Sequence, residues 1–85
     1  MKNVFVMSFV DDLETVNKFD EFGFVCGIDD SVNGIWCCER DLSYLSEEEV
    51  INFIEKTSKE LDYFVNVNGE NFDKEDIELI KNKLN

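Results

Sequence analysis

Histidine and proline are absent from this 85-residue sequence, glycine occurs four times and cysteine three times, and eight basic residues stand against twenty acids. Without histidine the chain loses the usual general base, the commonest metal ligand and every Ser-His or Cys-His nucleophile pair. Without proline and with little glycine it carries no flexible linker, low-complexity tract or proline-rich recognition segment. Three cysteines, Cys26, Cys37 and Cys38, cannot all pair within one chain and fall short of the four ligands of a structural zinc site. The first residues, MKNVFVMSFVDDLE, hold an apolar run broken by Asp11 and Asp12, too short to span a bilayer and without a cleavage site. No export signal is visible, so a cytoplasmic location with free thiols and no disulfide framework is expected.

What the sequence does contain is acid and large apolar side chains. The composition is 44% hydrophobic with eight phenylalanines, enough to build a packed core rather than a disordered chain. A domain of this size buries only about 60 to 65 per cent of its unfolded surface, so residues 1–85 are read as one modestly stable acidic domain. The formal charge is -12, spread evenly, with nine acids against Lys2, Lys18 and Arg40 up to residue 45 and eleven against five lysines beyond it. Such a charge repels phosphate backbones and anionic lipid, which excludes direct nucleic-acid and membrane binding.

Periodicity supplies the elements. Residues 3–10, NVFVMSFV, form a short run that is apolar on both alternating faces, expected of a strand covered on both sides. Asp11 or Asp12 caps a helix with Leu13, Val16, Phe19 or Phe22 at helical spacing, and Gly23 stops it. The segments 24–28 and 34–38 read as a hairpin turning near Asn33-Gly34. Ser46 and Glu49 form a capping box ahead of a helical stripe of Val50, Ile51, Phe53, Ile54 and Leu61. A fourth strand at 63–67 ends at Asn68-Gly69, and Asp73 caps a last helix with Ile77, Ile80 and Leu84. The expected class is α+β: a ferredoxin-like βαββαβ order with an extra C-terminal helix and a four-stranded antiparallel sheet. The apolarity of strand one, with Val25, Trp36 and Cys38, further implies that the second sheet face is covered by the last helix or by a second copy.

Few motifs carry chemistry. Asp29 to Ile35 imitates the start of an EF-hand loop, but its twelfth position is Arg40 where a bidentate Glu is needed. Val4 to Phe9 resembles the RNP2 strand of an RNA-recognition motif. The partner strand, Gly34 to Glu39, offers one Trp and an acid in place of a basic residue and stacking aromatics, so RNA binding is not expected. The vicinal Cys37 and Cys38 have no nearby cation to activate a thiol. No carboxylate pair is assigned to catalysis, because twenty acids make chance neighbours common and a chain this short seldom encloses a deep cleft. No catalytic residue, metal ligand or cofactor is expected.

Acids gather at helix starts, as dipole complementarity favours, yet Asp20, Glu21, Asp29, Asp30, Glu55, Glu60 and Asp62 lie elsewhere. The expectation is a non-enzymatic, protein-binding protein: an inhibitor or immunity or anti-defence type partner that presents carboxylates to a basic surface such as that of a nuclease or other nucleic-acid-binding protein. Asp29 and Asp30 at the hairpin tip and Glu47, Glu48 and Glu49 at a helix start are its candidate contact residues. The alternative is a ferredoxin-like small-ligand-binding or regulatory domain acting as a homodimer through its sheet face.

Overall fold

In the computed structural model, residues 2–30 and 34–85 are described, except for the Asp30 side chain; the expected turn at Asn33 lies outside them. β1 (Val4–Val10) leads into α1 (Leu13–Glu21), followed by β2 (Val25–Asp30), β3 (Ile35–Asp41), α2 (Glu47–Thr57), β4 (Phe64–Val67), β5 (Glu70–Asp73) and α3 (Ile77–Leu84). All pairings are antiparallel and the sheet order is β2-β3-β1-β4-β5. Helix α1 thus carries the chain from β1 past β3 to an edge, and α2 carries it from β3 past β1 to β4. The α+β class with an antiparallel sheet holds. The four-stranded ferredoxin-like topology does not hold as such, since the sheet has five strands.

The extra strand has a local cause. Asn68 and Gly69 both take positive φ, 52° and 92°, the conformation that closes a two-residue hairpin. The turn is held by side chains: the Asn66 Oδ1 accepts from the Gly69 N–H at 3.0 Å and its amide donates to Asn71 Oδ1 at 2.7 Å. The chain therefore doubles back as β5 instead of entering a helix. Asp73, expected to cap α3, instead accepts from the Glu75 N–H in a turn, and Asp76 occupies the N-cap position without a side-chain hydrogen bond.

The other helix starts follow the sequence reading. Asp12 accepts from the Thr15 N–H at 2.8 Å, and Ser46 and Glu49 exchange the reciprocal bonds of a capping box at 3.2 and 3.0 Å. One core cluster joins Val4, Val6 and Val10 of β1 to residues of all three helices, among them Val16, Phe19, Val50, Ile54 and Ile80. The three helices therefore share one face of the sheet, with α3 packed on α2 and β4. The expectation that the last helix covers the second face is thereby overturned. Leu13, placed in the core by spacing, is exposed at the first position of α1. Leu61 is buried, but from the segment after α2, which stops at Thr57.

Two polar arrangements lock the helices to the sheet. Thr57 and Tyr63 share a hydrogen bond of 2.6 Å beneath α2, and the Thr57 hydroxyl also donates to the Phe53 carbonyl at 2.9 Å. Burial pushes the Tyr63 phenol up from its ordinary value against the opposing pull of that bond. Arg40 of β3 reaches under the helices, donating to the Phe22 carbonyl at 2.9 Å with its guanidinium 4.9 Å from the Phe53 ring centroid. Gly23 leaves room for it: a Cβ there would meet Arg40 Nη1 at 2.9 Å, on a backbone with φ of 83° that other residues resist.

The cysteines depart from expectation. The hairpin register sets Cys26 directly opposite Cys38 on the helix-covered side, and the two are joined as a disulfide, leaving Cys37 as the free thiol. Counting an odd number of cysteines did not reveal this; register in the β2–β3 hairpin does.

Candidate functional site

The acids are the chemistry this surface offers. Every Asp and Glu whose side chain is described is exposed. Among the described residues three ion pairs form, Lys74 with Asp62 at 3.6 Å, Lys81 with Glu78 and Lys83 with Glu70 at 3.7 Å each. Such surface pairs hold the chain together weakly, so most carboxylates stand unneutralised. Three are drawn below their ordinary pKa by backbone N–H groups: Asp12 by Thr15, Asp41 by Ser43 and Glu49 by Ser46. Those three are fixed in place by local turns and caps.

The five residues expected to act together do not converge. Asp29 lies near the end of β2 beside the β2–β3 connection, and the Asp30 side chain is outside what is described. Glu47, Glu48 and Glu49 begin α2, which follows the opposite end of β3. The seven residues of β3 separate the two sets by roughly 20 Å at strand rise. Glu49 is also occupied by its cap, which leaves Glu47 and Glu48 as the free acids of that group. They border an open depression of about 240 Å³ between α2 and α3, with Ile51, Lys81 and Leu84.

A denser acid grouping sits at the other end of the molecule and was not singled out from sequence. β1 runs three residues past its last pairing with β4, at Met7 and Phe64. The notch so formed, about 310 Å³, is bordered by Ser8, Phe9, Asp11, Asp12, Glu60 and Asp62. A second depression of about 350 Å³ continues from it onto the uncovered sheet face, sharing Ser8, Phe9 and Asp62 and adding Met7, Phe64 and Asp73. Proximity of residues 8–12 to 60–62 depends on where β4 begins, which no local sequence signal states.

That uncovered face is apolar along its middle. Phe5, Met7 and Phe9 point to it from the central strand, with Phe9 56% exposed, and Phe64 lies beside Met7 in the register. Cys37 sits opposite Phe9 and Glu39 opposite Met7 on the other side. Burial first, then the charges of Glu39 and Asp29, push the Cys37 thiol above its ordinary pKa, so it is a poor nucleophile at neutral pH. No protein-family model, no curated protein and no solved structure matches this chain. The geometry thus stands alone. Among the described residues no three metal-ligating side chains converge, and no helix is long and apolar enough to cross a membrane.

Proposed function

We propose that this is a small acidic protein-binding protein that works by occupying a basic protein surface, in the manner of an inhibitor or an immunity or anti-defence type partner, and performs no catalysis of its own. The observation that carries the reading is the unneutralised acid: a charge of -12 on 85 residues with three weak ion pairs among the described residues. Carboxylates held in the open are available to lysines and arginines of a partner, and they steer its approach. A surface that normally holds nucleic acid, such as that of a nuclease, is the partner class whose charge fits best.

In this reading Asp29 and Asp30 and Glu47 to Glu49 lie on different ends and cannot all meet one small patch. The acids bordering the notch, Asp11 and Glu60, together with Asp12, which is held by its cap, and Asp62, which is paired with Lys74, are the more concentrated contact. The setting is the cytoplasm, and the Cys26–Cys38 disulfide is an exception to the usual reduced state of thiols there. A pocket-based regulatory domain is less well supported, because the depressions are open rather than enclosed.

The test is a binding titration against a panel of basic nucleic-acid-binding proteins and acidic controls of equal size at several salt concentrations. The reading expects measurable affinity for members of the basic set alone, weakening as salt rises. Equal, salt-independent binding to both sets, or none to either, would remove it.

A further inference from the structure

We infer that the uncovered sheet face is a docking surface for a cationic amphipathic helix of a partner protein, one whose apolar stripe is flanked on both sides by lysines or arginines. The inference rests on the proposed protein-binding function and names the surface and the kind of element it takes. It starts from register. Opposed residues of antiparallel strands share a face, so Met7 and Phe64 lie side by side between Glu39 and Asp73 in one row across the sheet, with exposed Val25 of the edge strand β2 beyond Glu39. Phe5 lies in the next row between Asp41 and Asn66. The face is therefore an apolar stripe along β1, joined by Phe64 of β4, with the carboxylates of Glu39 and Asp41 on β3 and Asp73 on β5 to either side.

Width and charge select the occupant. Three strand spacings separate β3 from β5, roughly 14 Å, which accommodates one helix of about 10 to 12 Å diameter lying along the stripe. Helices already cover the reverse side of these strands in the same way. The borders carry acids and, at the described positions of this face, no lysine or arginine. Arg40 points to the helix-covered side, and Lys74 is turned back to the Leu61 carbonyl at 2.6 Å with its side chain 14% exposed. A second copy laid face to face would press Glu39, Asp41 and Asp73 against their equivalents with no cation between them, a desolvated like-charge contact that costs rather than stabilises. A helix with cationic flanks meets the same acids favourably while its apolar stripe covers Phe9 and Phe64.

The test uses two synthetic peptides of identical composition: a helix with a leucine stripe flanked by lysines, and the same residues in scrambled order. Binding is followed at low salt by amide chemical shifts and by alkylation of Cys37, the thiol on this face. The ordered peptide is expected to bind about tenfold or more tightly than the scrambled one, to shift β1, β3 and β4 and to slow Cys37 alkylation. Phe9→Ser, at an exposed position that leaves the core intact, should abolish that preference. Equal affinity for both peptides would show that charge alone binds and would overturn the docking face while leaving the basic-partner reading standing. Binding of neither would overturn both. A concentration-dependent dimer that shields Cys37 without peptide would assign the face to a second copy and overturn the inference.

Discussion

β1 shows two fates of apolar residues on one strand. Val4, Val6 and Val10 are buried under the helices, whereas Phe5, Met7 and Phe9 alternate with them on the side no helix covers. The larger side chains are on the open side. Sequence pattern alone makes the two sets equivalent; what separates them is that the three helices among the described residues all lie together on one face. Burial of the valines is part of folding, while Phe9, more than half exposed, contributes little to it and stays available to something else, and Phe5 and Met7 are half-buried.

Substitutions should separate the two faces sharply. Phe24 is buried with its ring 4.8 Å from Phe19 and 5.9 Å from Tyr63, so Phe24→Ala should lower unfolding free energy by about 3 to 5 kcal/mol in denaturant titration. Phe9→Ala should change it by no more than about 0.5 kcal/mol. Equal losses would erase the distinction.

The three cysteines sharpen it further. Reducing the Cys26–Cys38 bond, which closes a 12-residue separation, should cost about 3 kcal/mol by the chain-entropy account. In the native, unreduced protein, alkylation followed by mass spectrometry should modify Cys37 and neither of its counterparts. Glu39→Gln should speed that reaction, because it removes a charge that raises the thiol pKa. Under α2, Tyr63→Phe removes one partner of the buried Thr57 bond and should cost about 1 kcal/mol.

The smallest effect concerns the acids. Asp12, Asp41 and Glu49 have pKa values lowered in the folded state from ordinary values of 3.8, 3.8 and 4.5. Their contribution is present above those values and is lost as pH falls through the lower folded ones. A thermal midpoint followed downward from neutral pH should therefore decline below about pH 4, and Ser46→Ala should lessen the part that belongs to Glu49.

Much of this was legible in the residues. Ser46 and Glu49 announce α2, Asp12 announces α1, and the alternation of NVFVMSFV announces a strand with two apolar faces. That only one of the two faces is covered was not legible, because alternation reports what a face is made of and not what lies on it. β5 was missed because Glu70 to Asp73 is a polar strand without alternation, although Asn68-Gly69, with positive φ at both residues, is itself a two-residue hairpin signal. The candidate contacts were read as loop tips and helix starts, where acids protrude, but the strand lengths put Asp29 and Glu47 at opposite ends. The notch at Phe9 and Asp62 joins residues far apart in sequence through the early end of β4, a tertiary fact with no local signature.

The most direct measurement of the account is exposure of β1 side chains to a soluble paramagnetic agent, read on methyl and aromatic resonances across a range of protein concentrations. The account predicts strong broadening of Met7 and Phe9 and none of Val4, Val6 and Val10, unchanged with concentration. Protection of both sets, or of Phe9 as concentration rises, would mean that the second face is already covered and would contradict it.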